Sequence, residues 1–158
     1  MSEIKNLSDQ RIATELYSKR ANLLFYGIPE TKDEDSEVVI KGFIKKHLDI
    51  VPNDILFANV HRLPTRTTSK DARPKPIIAK FVQMKDRELI LSAAPRLRNS
   101  TMKFGISPHL PSCMQQARQK LLPIRREAIA AGKRAFIKTT GITVNLYIDN
   151  QLYKPKKN

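Results

Sequence analysis

N-L-L-F-Y-G-I-P-E, from Asn22 to Glu30, is the stretch whose reading decides the fold. Its first five residues are apolar or aromatic enough for a strand engaged on both edges, and Gly27 and Pro29 then end it abruptly. So short a strand has no independent stability and needs neighbours. The segment best matched to it is Pro76 to Val82, P-I-I-A-K-F-V. Alternation sends Leu23, Phe25, Ile77, Ala79 and Phe81 to one face and Leu24, Tyr26, Ile78 and Lys80 to the other. A tyrosine and a lysine among aliphatics mark the second face as open and available to a ligand.

Upstream, residues 3 to 20 read as a helix carrying Ile4, Leu7, Ile12 and Leu16. Arg11 and Thr14 interrupt the heptad, so the segment fits at most the tail end of a coiled coil. Downstream, T-K-D-E-D-S-E leads into a helix capped by Asp35 or Ser36 and running to about Leu48, with Ile40, Phe43, Ile44, His47 and Leu48 on one stripe. Asp54 to Leu63 reads as a second strand with Ile55 and Phe57 on one side and a bulge at Val60. The loop Leu63 to Lys75 hangs Arg66, Lys70, Arg73 and Lys75 over one edge of the sheet. After the third strand comes a helix from Asp86, with Leu89, Ile90, Ala93 and Ala94 inward and Pro95 closing it. Thr101 to Ile106 supplies a fourth strand. Strand, helix, strand, strand, helix, strand is the split βαβ order of the ferredoxin-like and RNA-recognition-motif group.

Pro108 and Pro111 mark a boundary. A long helix is expected from Ser112, as N-cap, to about Ala131, with Gly132 as terminator and Pro123 as a kink. Met114, Ala117, Leu121, Ile124, Ala128 and Ala131 form its packing stripe, and Arg118, Arg125 and Arg126 fall on the other side. Arg134 to Lys138, the T-T-G turn, Ile142 to Ile148, the Asp149-Asn150 turn and Gln151 to Lys154 then read as a strand and hairpin. The expected fold class is α+β: an N-terminal helix over 1–20, a ferredoxin-like domain over 21–106, a small α+β domain over 107–154 and a basic tail at 155–158.

Charge carries the functional information. Lys and Arg outnumber Asp and Glu 29 to 15, giving +14 and a pI near 10.1. A polyanion is the expected partner. The excess is directed: residues 1–50 hold 8 basic and 9 acidic residues, 51–100 hold 10 and 4, and 101–158 hold 11 and 2. The lone Cys113 excludes an internal disulfide. No apolar run approaches membrane-span length and M-S-E-I-K-N-L lacks a signal-peptide core, so a soluble intracellular chain is expected. His47, His61 and His109 stand in separate segments without metal-ligand spacing, the carboxylates crowd before Ser36, and the five glycines are scattered. Neither an enzyme nor a metal or other cofactor is expected.

L-F-Y-G-I-P is close to the first strand of an RNA-recognition motif, with Tyr26 facing the ligand. Ile77, Ile78 and Ala79 stand where the second consensus of that family places stacking aromatics and glycine. That favours an electrostatic grip on single strands through phosphates, with Arg73 on the loop and Lys80 on the sheet face as contributors.

Taken in order, N-L-L-F-Y-G-I-P-E, V-H-R-L-P, P-I-I-A-K-F, D-R-E-L-I-L-S-A-A and Q-A-R-Q-K-L-L-P-I resemble the RNA-binding part of the first-open-reading-frame protein of LINE-type retrotransposons, over roughly Lys19 to Tyr153. The resemblance implies RNA packaging and nucleic-acid chaperone activity, with single-stranded RNA, and DNA as a second ligand, in a basic cleft between the two domains. It also implies trimerisation through a coiled coil upstream, and cytoplasmic ribonucleoprotein particles with a nuclear fraction. By position it makes Arg62 and Arg66 basic residues of the strand-loop segment, Arg96 and Arg98 an interdomain cluster, and Arg118 the first of an arginine pair. Gln119 stands where the second is found, which shifts that contact to Lys120. Helical spacing, not the resemblance, adds Arg125, about two turns beyond Arg118. The alternative from another class is a protein-interaction module whose sheet binds a peptide or acidic partner.

Overall fold

The computed structural model describes residues 2–64, 73–99 and 101–155. Along the chain run helix α1 (Ser2–Lys19), strand β1 (Asn22–Tyr26), helix α2 (Ser36–Leu48), strands β2 (Phe57–Arg62) and β3 (Ile77–Phe81) and helix α3 (Met84–Ala93). A 3-10 segment (Ala94–Asn99) leads to β4 (Gly105–Pro108), α4 (Ser112–Ala130), β5 (Ala135–Thr140), β6 (Thr143–Ile148) and β7 (Gln151–Leu152). The chain is thus α+β with two antiparallel sheets, ordered β2-β3-β1-β4 and β5-β6-β7. It divides into two compact units, Arg20–His109 and a second made of Met1–Lys19 with Leu110–Asn158.

In the first unit β1 is held on both edges: Leu23 lies opposite Ala79 and Pro108, and Phe25 opposite Ile77 and Ile106. Leu23, Phe25, Ile77 and Ala79 are fully buried against Ile40, Ile44 and Leu48 of α2 and Ile90 of α3. At roughly 1.5–3 kcal/mol for each large side chain, this one layer holds most of the unit's hydrophobic stabilisation. Phe43 extends it through edge-on contacts with Phe25 (6.0 Å) and Phe104 (5.1 Å). Asp35 caps α2, its Oδ1 accepting from the Glu37 and Val38 amides.

Several expectations are corrected. The second face of this sheet is not wholly open: Leu24 and Ile78 are 8% and 7% exposed, while Tyr26 is half-buried and Lys80 exposed. The bulge in β2 lies between Phe57 and Asn59, not at Val60, which faces the core opposite Ala79. The last strand of this sheet is Gly105–Pro108, because Gly105 rather than Thr101 is the residue that reaches register with Tyr26. Helix α3 begins at Met84, and Leu89 is 48% exposed; Leu97, on the 3-10 segment past Pro95, joins the core instead.

In the second unit α4 packs on β5 and β6, with Met114, Ala128 and Leu146 buried. Its N-cap is Pro111, not Ser112, and no side chain caps it. Ala117 and Ala131 are exposed, and Arg118 and Arg125 lie half-buried beside the packed stripe rather than opposite it. The reason is spacing: Arg118 follows Met114 by four residues and Arg125 precedes Ala128 by three. The helix ends as expected at Gly132, whose φ of +82° allows Lys133 N–H to reach the Ala128 carbonyl and Gly132 N–H the Ile129 carbonyl.

One glycine is sterically required. Gly27 has φ +86°, and a Cβ there would meet the Lys103 carbonyl oxygen at 2.2 Å. Gly42, within α2, has ordinary φ and open space around it. Gly27→Ala is expected to cost about 2–4 kcal/mol, from left-handed strain and the clash together. Gly42→Ala is expected to gain up to about 1 kcal/mol through helix propensity. Urea unfolding of the two variants checks both signs.

Candidate functional site

Two polar features flank the start of the β1–α2 loop, on opposite faces of the sheet. On the helix-covered face stands Arg62, paired with Ile77 in β3. All five of its N–H donors are used. Nε and one Nη engage the two oxygens of Glu34 at 2.6 and 3.2 Å; the others reach the carbonyls of Ile28 (2.9 Å), Lys75 (2.7 Å) and Pro29 (3.0 Å). Glu30 accepts from the Lys75 amide at 2.9 Å, and the Leu63 amide donates to the Pro76 carbonyl at 2.7 Å. The loop after β1 and both ends of the β2–β3 loop are thus tied to one guanidinium. Its planar fork is the only side chain that can supply so many directed donors.

On the other face, Tyr26 ends β1 beside an open groove of about 500 Å3, lined also by Gly27, Arg73, Pro74, Met102 and Lys103. The Ser107 hydroxyl donates to the Tyr26 phenolic oxygen at 3.5 Å, the outer limit of a hydrogen bond. Here an aromatic ring, a proline, a thioether and two cationic side chains line one groove. Such a lining suits a flat apolar group that carries an anion. Met102, Lys103 and Pro74 were not expected here. The sequence places Lys103 and Met102 inside a strand and gives no signal for the groove; the observed strand starts only at Gly105, which leaves 101–104 to pass beside Tyr26.

The remaining residues singled out by sequence are distributed. Lys80 shares the face of Tyr26 but pairs with Asn22, four positions along β1 from Tyr26 and so about 13 Å away. Arg96 donates to the Leu48 carbonyl, completing the C-terminal end of α2. Arg98 is exposed beside a shallow recess formed by Leu91, Leu97, Phe104 and Ile106. Arg66 lies outside the described residues. Arg118, Lys120 and Arg125 belong to the second unit, the first and last half-buried and Lys120 exposed.

Among the described residues no group of three or more His, Cys, Asp and Glu side chains is placed to hold a metal ion, and no helix is long and apolar enough to cross a membrane. No protein-family model matches the chain.

The clamp makes a prediction about acid stability. The Arg62 hydrogen bond holds the Glu34 carboxyl below its ordinary pKa of 4.5, burial opposing and the Thr31 contacts assisting. The unfolded chain therefore binds the proton more readily, and stability rises with pH through this window. The Glu34 contribution is complete above about 4.5 and fades as pH falls through the lowered value. Glu34→Gln should flatten the fall in urea midpoint on that acid limb. Arg62→Met should cost about 2–4 kcal/mol at neutral pH, since it strands the carboxylate and three carbonyls.

Proposed function

We propose that the chain binds single-stranded RNA, and single-stranded DNA less selectively, as the RNA-binding and chaperone component of a LINE-type retrotransposon ribonucleoprotein. The observation that carries the binding reading is the Tyr26 groove: a half-buried ring at the end of a central strand, lined together with a proline, a thioether and two cationic side chains, in a chain of net charge +14. An unpaired base supplies the flat group and its phosphate the anion. The order β2-β3-β1-β4, with α2 and α3 on one face, supports reading the first unit as a ferredoxin-like RNA-recognition-motif domain. The retroelement assignment rests on the run of sequence motifs from Lys19 to Tyr153. Sequence selectivity is weak in this reading, because Ile78 stands beside Leu24 where a second stacking ring would be needed.

A second reading has its own observation. Val51, Leu56 and Val82 are 69%, 56% and 56% exposed, and the Val82 amide donates to the Leu56 carbonyl, so two of the three are adjacent. An apolar patch at a sheet end suits a protein partner.

The two readings separate on salt. Anisotropy titrations of labelled single- and double-stranded RNA and DNA at several salt concentrations should show preference for single strands. They should give a slope of about −3 to −4 in log affinity against log salt if about five phosphates are held. A flat slope, or no binding, overturns the proposal and favours the protein partner. Tyr26→Ala should weaken binding roughly 5- to 150-fold with the slope unchanged. Arg98→Ala and Arg118→Ala should each lower the slope by about 0.7 and weaken unrelated sequences equally.

A further inference from the structure

The second unit carries a sheet face that the site above does not use. Helix α4 packs on one side of β5 and β6, burying Leu146 and half-burying Ile137 opposite it. Alternation then turns Phe136, Lys138 and Thr140 of β5 to the other side, together with Tyr147, Asn145 and Thr143 of β6. The register arranges them in rows. Phe136 faces Tyr147, and Tyr147 faces Leu152 of β7, giving one apolar row across three strands. Lys138 faces Asn145 in the next row. The rings of Phe136 and Tyr147 are stacked, with centroids 5.3 Å apart and planes 16° from parallel. Phe136 is 45% exposed and Leu152 46% exposed.

We infer that this face is a second base-stacking platform for single-stranded nucleic acid, in which an unpaired base continues the Phe136–Tyr147 stack and Lys138 takes the adjoining phosphate. The inference rests on the nucleic-acid reading of the chain and extends it to the second unit. Three features point to a base rather than a protein side chain. The rings already lie parallel, so a third flat group joins without rearrangement. The neighbouring row offers a cation and an amide, which can meet a phosphate and a base edge, instead of further apolar surface. Residues 110–158 hold ten Lys and Arg against two acidic residues, so the surroundings attract a polyanion. The hairpin turns hold the platform in register: Gly141 has φ +56°, and Asp149 and Asn150 have φ +51° and +66°. Asp149 also closes the strand pair, its amide donating to the Arg134 carbonyl at 2.8 Å and its Oδ1 accepting from the Arg134 amide at 3.1 Å.

The test compares the full chain with Phe136→Ala, Phe136→Leu and Phe136→Tyr on oligouridine and on an abasic oligomer of equal length. Phe136→Ala should weaken oligouridine binding roughly 5- to 150-fold, with the salt slope unchanged. Phe136→Leu should not restore it, Phe136→Tyr should, and all four proteins should bind the abasic oligomer alike. Oligomers carrying 4-thiouridine should crosslink to the peptide that holds Phe136 or Tyr147 in the unsubstituted chain. If that chain binds oligouridine but Phe136→Ala matches it and no crosslink maps to β5 or β6, the inference is overturned and the face belongs to a protein partner. Equal losses on both oligomers also overturn it, since backbone contact or misfolding would then account for them. If the unsubstituted chain binds no single strand, the nucleic-acid reading itself fails.

Discussion

Strand β1 has to be satisfied on four sides at once, and the first unit is arranged around that constraint. Both of its edges carry backbone groups that need partners, supplied by β3 and β4. Its inner side chains, Leu23 and Phe25, are withdrawn from water by α2 and α3. Its last residue, Tyr26, is left at the margin, where burial stops and the groove begins. Gly27 makes that margin possible, because only a residue without Cβ can pass under the backbone at Lys103. The most deeply buried ring of the sheet, Phe25, and the half-buried ring that borders the groove, Tyr26, are therefore consecutive along the chain.

Much of this architecture is legible in the sequence because it rests on periodicity. The stripe Ile40, Phe43, Ile44 and Leu48 and the alternation in Ile77–Phe81 each have one reading, and the elements appear where those patterns fall. Misreadings occur where register, rather than period, decides. The strand ending the first sheet is displaced toward Pro108, since which residues of 101–108 pair with β1 depends on a partner some eighty positions away. The long helix α4 shows the same limit: a three- and four-residue spacing admits Ala117 and Ala131 on geometric grounds, yet the packed side includes Arg118 and Arg125. Long arginine stems lie along apolar surface while their heads reach water, so charge alone does not tell which side of a helix faces out.

The arginines also show why residue type does not assign a role. Arg62, in V-H-R-L-P, has its donors spent on one carboxylate and three carbonyls, and Arg96 completes a helix end. Both are folding elements as well as positive charges. Arg73 and Lys103 line the same groove, and the bonds from Arg62 to the Lys75 carbonyl and from the Lys75 amide to Glu30 hold the Lys75 end of the β2–β3 loop beside the loop after β1. The aromatic pair on β5 and β6 had no signal in composition. Phe136 and Tyr147 are eleven positions apart, and only the hairpin register makes them neighbours.

Nuclear magnetic resonance titration of the isotopically labelled chain with short single-stranded RNA tests the central claim most directly. The account predicts saturable shifts of the Tyr26, Gly27 and Lys103 amides, diminishing as salt is raised. Shifts confined to Val51, Leu56 and Val82, or an unchanged spectrum at low salt, would contradict it.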